Sequence, residues 1–508
     1  MGMPERIVDL HTHLFNARYV PLASIIANAM NKDESRLANN VASLLLMLVG
    51  SSYHEPKTLT TPSPDDEDAV DEFYLERIWS IAYYELCIAT GSLDKITSEL
   101  GELSESPLSP QEINLLQSSE LAQIIKELSK ANYDAEGWHD TALPENIEAE
   151  KYIDLKAGVS LKRFLGGARS ALKKALWVVS KLMNKEAWGE KENYLRFFLT
   201  MLSSEEKLLE RLLSSYGSDL PKLQVVHYMM DMQMAYAMEK PPYYLFHPEQ
   251  VRRMQLLHRS RPCKVFGFSA FDPRREDWLK HATEAREKGF IGFKFYPAMG
   301  YKPTENEPTY QDRIDAFFDF CIKYDMPIFA HCTPTGFQTR HKLGGNAHPK
   351  YWKKVLENSR WSDLRLCLGH AGGGAMINGN INSKGWMADS EEEWQDQDNF
   401  ARIVCELCTT YQNVYCEVGY ITQLFEASKL EVFVGNIEKA RGAAVKAARP
   451  YELLTKMAYG SDWHMPDMVD RTRDYLDIFL KIMRRVEYSE YSDRFFWQNA
   501  YAYLKLHK

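Results

Sequence analysis

Short apolar runs alternate with helically spaced stretches over most of this chain, and that alternation predicts its architecture. The runs fall at 223–230, 263–268, 290–296, 326–330, 364–368, 413–418 and 457–459, each followed by a helical pattern. Their starts lie roughly 27 to 49 residues apart, about the length of a strand–helix unit with its loops. An eighth run, Arg6-Ile7-Val8-Asp9-Leu10, stands far upstream and reads as a short buried strand. Eight strands alternating with helices predict an α/β protein, a (β/α)8 TIM barrel.

Between the first and second runs the rhythm stops for about 200 residues. Residues 21–220 are helical in pattern and poor in β-branched runs. Ser109-Pro110-Gln111-Glu112 and Ser203-Ser204-Glu205-Glu206 both read as capping-box helix starts. The chain therefore divides into a barrel built from 1–20 and 221–508 and an all-helical insertion, 21–220, after strand one. An insertion at that point belongs near the barrel mouth, where it lids the site or builds an interface. Assembly into a homo-oligomer, or partner docking, is expected to run through it.

Composition narrows the class. A hydrophobic content of 45% and a charged content of 26% are those of a soluble globular protein. A net charge of −9 argues against a general nucleic-acid surface. The most apolar stretch, 41–50, is far short of a membrane span, and no basic-then-apolar leader opens the sequence. The eight cysteines are scattered, many inside apolar runs, as in a reduced cytoplasmic protein. Cys405-Glu-Leu-Cys408 has no second pair in range and reads as a helix face. The expected partner is a small molecule, with no nucleic acid and no membrane.

Candidate chemistry gathers where the apolar runs end. His11-Thr12-His13 closes the first, and alternation along a strand turns both imidazoles to one side. Chance alone gives on the order of 0.4 such triplets in a chain of this composition, so the motif needs company. It has it: Lys294, His331, His370 and Asp462 stand in or just after runs four, five, six and eight. An ionisable group there is costly to bury without a partner or a metal. His227 and Glu417 fall inside runs two and seven, where a cleft-facing role and a satisfied core role fit equally. His464 follows Asp462 by two, and Arg340 and His348 lie on the loop after run five, where loops over a barrel mouth contact substrate.

The order His-x-His, Lys, His, His, Asp at strands one, four, five, six and eight resembles the amidohydrolase superfamily. More narrowly it is similar to the branch holding amidohydrolase-related hydrolases and zinc-dependent non-oxidative decarboxylases. The resemblance also covers Ala347-His348-Pro349 and Phe496-Trp497-Gln498-Asn499-Ala500-Tyr501, and the insertion has no counterpart in it. Together with metal chemistry it implies that His11, His13, His331 and Asp462 surround one divalent ion, Zn²⁺ first, with Mn²⁺, Fe²⁺ or Ni²⁺ as options. It implies a metal-activated water attacking a C–N or C–O bond of a small polar substrate. Asp462 takes the proton and His370 polarises the substrate or orients the water. Lys294, Arg340, His348 and His464 are the candidate substrate contacts. Lys294 has two readings: an ordinary lysine beside one metal, or a carboxylated bridge between two. Non-oxidative decarboxylation or hydration by the same site is the alternative reaction. A regulated effector or scaffold, docking through the insertion, is the alternative class.

Overall fold

The computed structural model describes residues 3–14, 16, 205–218, 220, 222–232, 250–261, 264–336, 343–373, 375–377, 380–382, 385–465, 468–469 and 471–506. Most of the expected helical insertion lies outside these residues, as does Arg340. The chain divides into two compact units. One holds Met1–Leu14, Leu209–Ala237 and Leu245–Lys508; the other holds Phe15–Leu208 and Met238–Tyr244. Only the first is described at any length below.

Eight parallel strands form that unit's sheet in sequence order. They are β1 (Ile7–Thr12), β2 (Leu223–Tyr228), β3 (Val265–Phe271), β4 (Gly292–Phe295), β5 (Ile328–Ala330), β6 (Leu366–Leu368), β7 (Val414–Glu417) and β8 (Met457–Ala458). The two ends meet. The Leu10 amide donates to Tyr459 O at 3.1 Å and the Asp462 amide to His11 O at 2.7 Å, while Thr12 and Trp463 form a parallel bridge. The sheet closes into the (β/α)8 barrel that the apolar runs predict.

Helices intervene as the pattern requires: α1 (Glu205–Ser215), α2 (Val251–Ser260), α3 (Trp278–Glu287), α4 (Pro308–Lys323), α5 (Pro349–Glu357), α6 (Phe400–Thr410), α7 (Ala427–Lys446), α8 (Thr472–Met483) and α9 (Asn499–Leu504). Their starts follow local chemistry. Pro308 opens α4 and the Glu307 carboxylate accepts from the amides of Thr309 and Tyr310, while Asn399 caps α6 through the Arg402 amide. After β6 the chain makes a small antiparallel hairpin, Ala375–Ile377 with Asn380–Asn382, which the apolar pattern does not signal. β3 also runs three residues beyond its apolar run, because Ser269-Ala270-Phe271 pairs on with Phe293-Lys294-Phe295 of β4.

Side chains plug the barrel. Val8, Leu10, Val226, Tyr228, Phe268, Phe329 and Cys367 share one buried cluster with Trp497, Ala500, Tyr501, Tyr503 and Leu504. Helix α9 thus closes the N-terminal end. There the Arg6 guanidinium lies over the rings of Trp497 and Tyr501, at 5.5 and 5.0 Å. The Tyr501 hydroxyl donates to Gln224 Oε1 at 2.9 Å. Among the described residues, a cleft opens at the opposite end.

β1 carries a bulge that decides what faces that opening. Asp9 pairs with Val225 and Thr12 with His227, so β1 spends three steps where β2 spends two. One extra residue flips the alternation. Val8 and Leu10 fill the interior, yet the His11 ring also packs inward, 4.5 Å from Phe329 and 5.4 Å from Tyr228. Without the bulge, a strand that buries Val8 and Leu10 inside would turn His11 and His13 out.

His227 points away from the cleft. Its Nε2 lies 2.8 Å from Nε2 of His258 on α2, and Gly267 makes the room. A Cβ on that glycine would lie 1.9 Å from the His258 ring. Burial lowers the pKa of both imidazoles, His258 to about 4. The folded pair stays neutral while unfolded histidines take up protons near pH 6.5, so its contribution is complete above that pH and shrinks as pH falls towards 4. His258→Gln should reduce the stability lost between pH 7 and pH 5 by about 1–2 kcal/mol, read from urea unfolding at both pH values. An unchanged difference would show that the pair is silent.

Candidate metal centre

The open end of the barrel collects ionisable side chains from six of its eight strands or the turns after them. His11, His13, Lys294, His331, His370 and Asp462 line one cleft of about 640 Å³, joined by Tyr296, Thr333, Thr335 and Gln423. Glu417, at the end of β7, lies just behind them and is fully buried.

Hydrogen-bond partners fix where the imidazole hydrogens sit. His11 Nδ1 lies 2.8 Å from Glu417 Oε1, and His13 Nδ1 lies 2.9 Å from Tyr228 O. A carboxylate or carbonyl oxygen only accepts, so each ring donates from Nδ1 and keeps a lone pair on Nε2. Those two Nε2 atoms lie 3.2 and 3.4 Å from Asp462 Oδ1. That oxygen is buried and accepts no hydrogen bond. Three lone-pair atoms therefore converge with no hydrogen between them. A divalent cation resolves such an arrangement, and two imidazoles with one carboxylate are an ordinary ligand set.

Electrostatics suit the same conclusion. Burial, reinforced by the nearby Lys294 ammonium, lowers the pKa of His11, His13 and His331 well below the ordinary histidine range. Burial brings His370 to about 4. All four stay neutral, the state in which imidazole binds metal. Burial drives the Asp462 carboxyl well above its usual range, with Lys294 pulling it back; a cation beside it would oppose that rise. Lys294 itself is fully buried, its pKa brought down to about 8 by desolvation against the pull of Asp462 and Glu417. Its Nζ lies 3.1 Å from His11 Nε2 and 4.3 Å from the centre of the Phe329 ring.

His331 and His370 form a second pairing. His370 Nδ1 lies 3.0 Å from Gly419 O, and His331 Nε2 lies 3.0 Å from Thr335 O. The inner atoms, His370 Nε2 and His331 Nδ1, face each other at 3.0 Å, and Tyr296 stacks flat on the His331 ring at 4.1 Å. Among the described residues, the groups with ligand atoms within 4.8 Å of one another are His11–His13–Asp462 and His11–His370–Glu417. His331, expected as a fourth ligand of the first group, lines the same cleft and faces His370.

The other expected contacts divide. His348 is buried away from the cleft, its Nδ1 accepting from the Lys350 amide at 3.1 Å to cap α5 and its Nε2 lying 2.9 Å from Asp398 Oδ1. His464 is buried against Trp463, ring centres 4.6 Å apart, and does not line the cleft. Desolvation takes its pKa down to about 3. Arg340 lies outside the described residues. Sequence reasoning left Glu417 undecided; the signal was a carboxylate inside an apolar run, the same signal that marked the histidines.

Backbone strain is concentrated here. His370, Ala371, Tyr420 and Asp462 have φ of 58°, 45°, 58° and 59°. Non-glycine residues pay to enter that left-handed region, and such residues cluster where a site requires an orientation.

The amidohydrolase family model matches residues 249–506. The chain belongs to this family. The match spans Lys294, His331, His370 and Asp462 of the amidohydrolase barrel but stops short of His11 and His13, which only the fold brings to them. Among solved structures, a 5-carboxyvanillate decarboxylase from Novosphingobium aromaticivorans with bound manganese is similar at 11% identity and TM-score 0.40, over 65% of this chain and 88% of that one. A probable 2-pyrone-4,6-dicarboxylic acid hydrolase from Acinetobacter baumannii is similar at 12% and 0.37, over 60% and 90%. A zinc-bound amidohydrolase from Burkholderia multivorans is similar at 11% and 0.38, over 60% and 89%. These likenesses are too distant to assign chemistry to this chain. No curated protein matches it. Among the described residues, no helix is long and apolar enough to cross a membrane.

If His348 serves only to cap α5, His348→Ala will cost about 1 kcal/mol of stability. Metal content and turnover will stay at the native level. A specific rise in KM, with stability intact, would return His348 to the substrate.

Proposed function

We propose that the protein is a metal-dependent hydrolase of the amidohydrolase type, acting on a C–N or C–O bond of a small polar molecule. One observation carries the reading: the Nε2 lone pairs of His11 and His13 converge on the orphaned Asp462 Oδ1. These three hold the ion, and His331 is the fourth candidate ligand. Imidazole with carboxylate suits Zn²⁺ and also accepts Mn²⁺, Fe²⁺ or Ni²⁺.

The bound ion would acidify a water molecule and polarise the bond under attack. The chain's own groups do the rest. Asp462 accepts the water's proton on its carboxylate, which the strained backbone at φ 59° aims into the cleft. His370 polarises the substrate or orients the water, its ring held by Gly419 O, and Asp462 passes the proton it has taken to the leaving group. The Lys294 ammonium, desolvated among the rings of Phe329, Tyr228 and Tyr296, stabilises negative charge that develops on the substrate; in a dry site such a charge acts strongly. A carboxylated Lys294 bridging two ions is the variant form. Decarboxylation of a small acid would use the same groups, and the products tell the two apart: a released acid and amine or alcohol, or carbon dioxide.

Elemental analysis of protein purified without chelator should find about one divalent ion per chain, and two would point to the carboxylated bridge. The double variant His11→Ala, His13→Ala should retain none. Asp462→Asn should keep its fold and lose about 10²–10⁴-fold in turnover on whichever ester, lactone, amide or carboxylate substrate a screen returns. Full metal retention by the double variant would overturn the ligand assignment. A chain that takes up no ion even on reconstitution would leave the scaffold reading in its place.

A further inference from the structure

Glu417 contributes no atom to the cleft surface, yet the groups around it are arranged to serve its carboxylate. Oε1 accepts from His11 Nδ1 at 2.8 Å and from the His370 amide at 2.7 Å. Oε2 accepts from the Gly419 amide at 2.5 Å. One fully buried side chain thus ties β1, the turn after β6 and the turn after β7.

Two glycines keep a slot open for it. A Cβ on Gly460 would lie 2.3 Å from Glu417 Oε2 and 3.0 Å from His11 Cβ. A Cβ on Gly419 would lie 2.8 Å from Oε2 and 3.0 Å from His11 Nδ1. Their backbone angles lie outside the positive range that calls for glycine, so space rather than conformation is what they supply.

From this geometry we infer that Glu417 is the positioning residue of the metal centre, setting the tautomer of His11 and the turn that aims His370. The inference rests on the ligand reading above. By accepting from Nδ1, Glu417 keeps the hydrogen off His11 Nε2, the nitrogen that faces His13 and Asp462, and the Lys294 ammonium donating to that same Nε2 from 3.1 Å agrees with the assignment. By accepting from the His370 amide, it pins the entry to two consecutive left-handed residues, His370 and Ala371. Carboxylates that hold a ligand imidazole this way typically contribute 10–100-fold to metal affinity. Glu417 touches neither ion nor substrate in this role.

The test compares native chain, Glu417→Gln and Gly460→Ala as full-length apoproteins. Zn²⁺ affinity is read by competition with a chelating dye. The His11 tautomer is read from ¹⁵N shifts of histidine-labelled protein, with His11→Ala to assign the signal. Native apoprotein should show hydrogen on Nδ1 of His11, and Glu417→Gln should mix or reverse that tautomer and weaken Zn²⁺ by about 10–100-fold at an unchanged circular dichroism spectrum. Gly460→Ala keeps the carboxylate but crowds it, and should weaken Zn²⁺ in the same direction, which preserves the test if Glu417→Gln does not fold. Native tautomer and native affinity in both variants would overturn the inference while leaving the ligand assignment standing. Failure of native chain to bind Zn²⁺ would instead overturn the ligand assignment, and the tautomer measurement alone would then decide the role of Glu417.

Discussion

Lone pairs brought together in a dry place repel, and the open end of this barrel is built around that repulsion. His11 and His13 each turn an Nε2 lone pair to within 3.4 Å of Asp462 Oδ1, and that oxygen accepts no hydrogen bond. A cation satisfies all three at once, and everything nearby makes sense as preparation for one. Burial keeps the imidazoles neutral, acceptor oxygens hold their hydrogens on the far nitrogen, and the strained turns at His370 and Asp462 aim side chains that relaxed backbone would not.

The preparation begins one layer down. A strand in a closed barrel normally gives its inward positions to packing, and Val8 and Leu10 do fill the interior. The bulge in β1 lets the same strand give its next inward positions to chemistry, since one extra residue changes the parity of everything after it. Asp9 remains on the outer side, where it accepts from the Ser461 amide at 2.9 Å, from the Ser461 hydroxyl at 2.6 Å and from the Tyr216 hydroxyl at 2.5 Å. The first and last strands are stitched by polar bonds on one side of β1 while they share the candidate ligands on the other. Packing, closure and metal geometry are thus decided within six residues, Ile7–Thr12, and the one that follows.

The barrel was legible because parallel strands buried on both faces read as mainly apolar runs, and eight such runs stand out. The ionisable residues at run ends were legible for the complementary reason, that their burial has no packing rationale. What escaped depended on the third dimension. A bulge has no sequence mark in Asp9-Leu10-His11, and alternation alone puts the histidines together without saying which side they share with Leu10. Thr335 O and Gly419 O, which turn His331 and His370 toward each other, are backbone atoms and carry no residue-type signal. His348 was placed by its loop position alone; that its ring caps α5 through the Lys350 amide emerges only in the fold. Glu417 was visible as an anomaly, but its partners lie 406 and 47 residues away.

The floor of the barrel sets an order of events during synthesis. β1 leaves the ribosome first but finds its neighbour β2 only after residue 223 has been made, and its other neighbour, β8, only after residue 457. Loop closure over such distances adds little to the equilibrium cost, about 0.6 kcal/mol for each doubling, but it defers the contacts that reward it. Helix α9, which fills the space beneath Val8 and Leu10, emerges later still. Until then the interior of the barrel has no bottom, and β1 lacks both its second neighbour and the Asp462 on which His11 and His13 converge. Closure of the barrel and completion of the candidate ligand set therefore depend on one and the same late stretch of chain, from β8 to α9.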